Sequence, residues 1–158
     1  MAIDIKVIRA NANRWPLRLP YGSSDVLSNP NVNRRIGMEK PKFEFYTRPN
    51  GHNEFLEFLE SLTESDSDKM FSLIHKIQDS GLLVAQYMQW VKKVDKNLYE
   101  IRLKCPNSIQ RALYFHVINN RYIITHGFTK KTQKTPKREI IHAKQIRREF
   151  EEEYYANN

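Results

Sequence analysis

Basic side chains recur at three places in the second half of the chain, with a spacing that suits the binding of phosphate. In Leu98-Tyr99-Glu100-Ile101-Arg102-Leu103-Lys104 apolar and charged residues alternate, so a strand here puts Glu100, Arg102 and Lys104 on one face. Lys92 and Lys93 precede it and Arg111 follows, so positive charge extends beyond what one solvated strand edge uses to discourage pairing. The third place is Phe128-Thr129-Lys130-Lys131-Thr132-Gln133-Lys134-Thr135-Pro136, three lysines and three threonines in a connection that opens a helix, with Lys137 just inside it. Free backbone N–H groups and the dipole at such a terminus attract anions. Arginine and lysine add a charge that persists at neutral pH and grips phosphate oxygens. His126 stands at the end of the preceding strand, and an imidazole both accepts and donates protons near neutrality.

The whole chain has the same bias. Its 158 residues carry 26 Lys+Arg against 18 Asp+Glu, a net charge of +8, which favours an anionic partner, nucleic acid being the common one. That length makes one ordinary domain. A single cysteine, Cys105, excludes a disulfide within the chain and fits a reducing cytoplasm. The richest apolar patch, Gly81-Leu82-Leu83-Val84-Ala85, is far too short to span a bilayer, and no signal-peptide segment follows Lys6 and Arg9. Neither Cys-x-x-Cys nor His-Glu-x-x-His occurs, so spacing does not suggest a metal site; no cofactor is expected either.

The elements that must position these groups follow from periodicity. Residues 1–37 hold six basic and two acidic side chains and three prolines, with Ser23-Ser24 and Asn29-Pro30-Asn31 interrupting any period. They read as an irregular basic arm with one short strand at Ile3 to Ile8, which allows Met38 to be the functional start of a domain over 38–158. Phe43 to Thr47 alternates as a strand and stops at Arg48-Pro49-Asn50-Gly51. Phe55, Leu56, Phe58, Leu59 and Leu62 form a helical stripe with Asn53 as N-cap. After a break at Asp66-Ser67-Asp68, Met70, Leu73, Ile74 and Ile77 form a second stripe ending at Gly81, so the two helices are expected to pair as a hairpin.

A short amphipathic stretch runs through Trp90, and the period then changes to 2 over Leu98 to Lys104, Arg111 to Ile118 and Arg121 to Thr129. A last helix is expected with Thr135 as N-cap, Pro136 in its first position, and Ile140, Ala143, Ile146, Phe150 and Tyr154 on its apolar face. The order is β-α-α-β-β-β-α, an α+β fold with a small antiparallel-rich sheet packed with helices. A two-residue loop at Asn119-Asn120 pairs Ile118 with Arg121 and opposes Leu113 to His126 and Arg111 to Phe128. Arg111 and His126 then share a face with Leu113, Phe115, Val117, Tyr122 and Ile124. Which face is core stays open, but either way Arg111, His126 and the basic loop converge at one end of the sheet.

The ordered series Leu98 to Arg102, then Arg111-Ala112-Leu113-Tyr114-Phe115, then His126 to Pro136, then Glu139 and Ala143, resembles the Gp49-like branch of the RelE/HigB toxin superfamily. The resemblance spans Phe43 to Tyr154 and leaves residues 1–37 without a counterpart. It implies the toxin of a bacterial type II toxin–antitoxin module, partnered by a small helix-turn-helix antitoxin, acting in the cytoplasm with the ribosome and mRNA and with no membrane. The implied activity is ribosome-dependent, metal-independent cleavage of messenger RNA. By position, Arg102 and Arg111 correspond to the strand cations at the scissile phosphate, and Lys130 and Lys131 to the basic loop, with Lys134 in support. Lys92, Lys93, Lys104 and Lys137 extend the RNA-binding set. Glu100 stands where some members of the superfamily carry a lysine proposed to move protons, and the tyrosine of other branches has no match near Ile140 or Ile141. His126 is the leading proton handler, with Glu100 as a base, or as the orienter of Arg102, left open. His52, His75, His116 and His142 have no motif counterpart. The rival reading is a non-catalytic nucleic-acid-binding or antitoxin-binding protein of the same fold.

Overall fold

The structure, a computed structural model, describes residues 40–158. The expected basic arm and its strand at Ile3 to Ile8 lie outside those residues. The elements are β1 (Lys42–Phe45), α1 (Glu54–Ser61), α2 (Glu64–Ser80), α3 (Leu82–Tyr87), β2 (Val91–Asp95), β3 (Leu98–Lys104), β4 (Ile109–His116), β5 (Arg121–Thr129) and α4 (Lys137–Ala156). Two elements are additional to the sequence reading. α3 is a six-residue helix in the stretch before Trp90, and β2 is an edge strand whose Lys92 and Lys93 are exposed, so neither shows a clear hydrophobic period. The order is therefore β-α-α-α-β-β-β-β-α.

The sheet runs β1-β5-β4-β3-β2, antiparallel except for the parallel pair β1·β5. Helices cover both faces. On one, Phe55, Leu59, Met70 and Ile74 of α1 and α2 pack with Phe43, Ile101, Ala112, Tyr114 and Ile124. On the other, Ala143 and Ile146 of α4 pack over Leu98, Leu113, Phe115, Ile123 and Phe128. Strand β4 is thus core on both faces, which explains why its pattern singles out neither. α1 leans mainly on β5, and α2 on α3, β3 and β1, so the two expected hairpin helices are tied through the sheet.

Local chemistry sets the helix ends. Asn53 caps α1, its side chain accepting from Leu56 N–H at 3.0 Å. The acidic run at Asp66 does not break α2. It lies within the first turns, capped by Thr63, where carboxylates complement the positive end of the helix dipole. Gly81 ends α2 at φ 87°, as its position suggested. α4 begins after Pro136 without a side-chain cap, so Thr135 does not serve as N-cap.

The β4–β5 hairpin has the expected register at its open end, with Arg111 opposite Phe128 and Leu113 opposite His126. Between Leu113 and Tyr114 it slips by one, because β5 carries an extra residue at Thr125, whose hydroxyl donates to the Leu113 carbonyl at 3.2 Å. The loop has three residues, with Val117 N–H donating to Arg121 O at 3.0 Å and Asn119 at φ 52°. The bulge turns Tyr122 and Ile124 to the α1–α2 face, away from the face they were expected to share with Arg111 and His126.

Candidate functional site

Arg102 on β3 stands directly across from Arg111 on β4. Like charges facing each other across strands repel, and a carboxylate lies between them. Glu100, 2% exposed, holds Oε1 at 3.7 Å from the Nε of each arginine. The face that carries Glu100 and Arg102 is partly covered, by Thr135 of the loop before α4 and by Ile140 of α4. Arg111 is also only 2% exposed. It donates to the Gln110 carbonyl at 3.0 Å and more weakly to that of Leu103 at 3.5 Å, while its Nε has no hydrogen-bond partner. Burial lowers its pKa from the usual arginine value, Glu100 opposes that shift and Arg102 adds to it.

The β5–α4 loop closes over this group. Lys130 N–H donates to the Ile109 carbonyl at 2.7 Å, Thr132 Oγ1 to the Lys134 carbonyl at 2.9 Å, and Thr135 Oγ1 to Glu100 Oε2 at 2.5 Å. Thr135 therefore anchors the loop to the buried carboxylate. Lys130, 8% exposed, has its pKa lowered by burial and by Arg111, Arg102 and Lys92, with Glu100 pulling the other way. Loop, strand and edge enclose a cleft of about 290 Å³ lined by Lys92, Lys93, Glu100, Arg102, Lys130, Gln133, Lys134 and Thr135, with Val94 and Ile140 supplying apolar wall. Five cations from β2, β3 and the loop share this lining with one carboxylate. Such a site attracts a polyanion and holds it with donors fixed by the backbone.

The other sequence-selected residues divide. Arg111 lies beneath the cleft as the neighbour of Glu100 and Arg102. Lys104 lines a second groove, of about 370 Å³, together with Arg102 and Arg111. Lys131 and Lys137 are exposed and line neither. His126 also lines neither. It is 5% exposed under α4, with Nε2 2.8 Å from Glu139 Oε2 and Nδ1 3.1 Å from Thr125 Oγ1. Its ring meets that of His142 edge-on at 4.7 Å, and His142 pairs with Glu54, itself held by Arg48. Burial lowers the pKa of His126, with Glu139 opposing. Thr135 and Gln133 gained their places in the cleft from the loop's path, which spacing alone does not reveal.

The family described as phage-derived protein Gp49-like (DUF891) matches residues 57–148, more than half of the chain. The chain belongs to the Gp49-like family. This family is RelE-toxin-like. No curated protein matches the chain. The Gp49-like segment contains every residue that lines the cleft and leaves β1 outside it. Among the described residues no helix is long and apolar enough to cross a membrane.

Proposed function

We propose that this Gp49-like protein is the toxin of a type II toxin–antitoxin module and cleaves messenger RNA on the ribosome in the cytoplasm. The observation that supports it is the cleft itself, where Lys92, Lys93, Arg102, Lys130 and Lys134 from three chain segments surround a single carboxylate. A phosphodiester in the cleft has its oxygens gripped by Arg102 and Lys130, with Arg111 reinforcing the field from below. The ribose 2′-oxygen attacks the adjacent phosphorus, the bond to the 5′-oxygen breaks, and a 2′,3′-cyclic phosphate and a 5′-hydroxyl result. The cations stabilise charge that builds on the phosphorane. Alignment of the 2′-OH in line with the leaving oxygen supplies much of the rest, and the ribosome contributes to it by holding the message. Removal of the 2′ proton falls to Glu100, the carboxylate in the lining, because His126 lies off the cleft, and Lys130, an ammonium whose pKa burial lowers, gives a proton to the leaving 5′-oxygen. Lys93, Lys134, Lys131, Lys104 and Lys137 bind flanking backbone, and a helix-turn-helix antitoxin is the inhibiting partner.

Inducing the chain in bacteria and sequencing transcript ends tests this reading. Codon-phased breaks in translated messages are expected, and intact messages during growth arrest would overturn it. One observation favours a second, non-catalytic reading: Glu100 is buried and already accepts a hydrogen bond from Thr135, and His126 lies off the cleft. In that case the same cations bind RNA without cutting it, and the transcripts stay whole.

A further inference from the structure

Arg102 also borders a second groove, of about 370 Å³, whose chemistry differs from that of the first. Leu73, Met88, Trp90 and Leu103 make it apolar on one side, and Lys104 and Arg111 join Arg102 on the other. Gln89 sits on its rim as the left-handed residue, φ 59°, that ends α3, where Trp90 N–H closes back on the Ala85 carbonyl at 2.9 Å and so fixes the turn that presents both side chains. Its amide is exposed and carries both a donor and an acceptor. The Trp90 indole is half-buried and held by Lys76, whose ammonium lies 4.5 Å from the ring centre. A purely polyanionic ligand has no use for this apolar wall, and a purely apolar one has no use for three cations. A nucleotide presents both faces, a flat base for aromatic and aliphatic side chains and a phosphate for arginine.

We propose that this groove is a base-binding subsite: it takes the base of the nucleotide next to the phosphate held in the lysine-lined cleft, with Trp90 and Met88 as its platform and Gln89 reading the base edge. The inference rests on the cleft being an RNA site. Arg102, common to both hollows, marks where the chain of phosphates passes from one to the other. The groove thereby adds base preference to a cleft that by itself binds only backbone.

The test compares binding of a single-stranded oligoribonucleotide and of inorganic polyphosphate of similar charge by the full chain, unaltered and as Trp90→Leu, Met88→Ala and Arg102→Ala. Met88 is half exposed, so its replacement leaves the core intact should Trp90→Leu fold poorly. The unaltered protein is expected to prefer RNA to polyphosphate. Trp90→Leu and Met88→Ala should weaken RNA binding, the former by about tenfold, and leave polyphosphate binding unchanged. Arg102→Ala should weaken both. RNA affinity untouched by Trp90→Leu and Met88→Ala, or an unaltered protein indifferent between the two polymers, overturns the subsite and leaves the lysine cleft standing. If those variants instead release only a co-expressed partner protein, the groove is a protein-docking site and the proposal falls. An unaltered protein that binds neither polymer removes the RNA reading of the cleft, and the subsite with it.

Discussion

Arg102 and Arg111 face each other across β3 and β4 with one buried carboxylate, Glu100, 3.7 Å from the Nε of both. The two arginines are equivalent in sequence pattern and unequal in the fold. The side chain of Arg102 is 28% exposed and lines the cleft, whereas that of Arg111 is 3% exposed and serves as the internal counter-charge. Arg102→Ala should therefore melt close to the unaltered protein and lose about 3 kcal/mol or more of transition-state stabilisation in RNA cleavage. Arg111→Ala leaves Glu100 without its buried partner and should lose about 3 kcal/mol of folding stability. Denaturation midpoints measured beside cleavage rates separate the two roles. Equal stability loss in both variants would contradict the assignment.

Glu100→Gln keeps an acceptor for the Thr135 hydroxyl and removes the negative charge among Arg102, Arg111 and Lys130. The variant should bind RNA at least as tightly as the unaltered protein, because a repulsive charge has left the cleft, while kcat falls by tenfold or more through loss of the proton acceptor. Thr135→Val isolates the loop anchor and should weaken binding with little effect on kcat. Steady-state kinetics on a translated message give both parameters, and a Glu100→Gln enzyme with undiminished kcat would remove Glu100 from proton transfer.

Stability should fall as pH drops below about 6.5, the ordinary histidine value in the unfolded chain. His126 has a lowered pKa in the fold, so between that value and about 6.5 the unfolded chain binds more protons, and acid favours unfolding. Above about 6.5 the contribution of His126 is complete. His75, whose pKa burial also lowers, acts in the same sense. Urea midpoints between pH 5 and 8 should rise with pH, and His126→Asn should flatten part of that slope. A slope unchanged in the variant would show that the Glu139 pairing offsets burial and that folding does not shift the His126 pKa.

Gly127 lies where α1 presses on β5, and a Cβ added there would sit 2.1 Å from the Phe58 ring. Gly127→Ala should cost about 1–3 kcal/mol through forced displacement of that ring. Pairing it with Phe58→Leu should recover part of the loss, which thermal melts of the single and double variants can measure. An unchanged melting temperature in Gly127→Ala would mean that α1 is free to move away from the sheet.

What the sequence makes legible here depends on how far a residue's environment is set by its own neighbours. β3 and β5 and the termini at Asn53 and Gly81 follow from local period and capping, and they coincide with the structure. β2 escapes because an edge strand with exposed Lys92 and Lys93 carries no apolar alternation. The slip at Thr125 escapes because a single extra residue changes which face Ile124 takes without changing the pattern around it. At the site, the spacing of Arg102, Arg111 and Lys130 marks them as a set, yet their burial is a property of α4 and the loop above them. For the same reason the pairing of His126 with Glu139 and of Thr135 with Glu100 was invisible: both join segments whose approach is decided by the packing of α4 on the sheet.

The central claim is that the cleft around Glu100 acts on RNA through its cations. Its most direct test is an in vitro translation reaction in which a reporter message is incubated with the unaltered chain or with Arg102→Ala, with and without ribosomes, and the new ends are analysed chemically. The account predicts cuts only with ribosomes and the unaltered chain, each leaving a 2′,3′-cyclic phosphate upstream and a 5′-hydroxyl downstream. A message left intact by the unaltered chain, or cut equally well by folded Arg102→Ala, would contradict it.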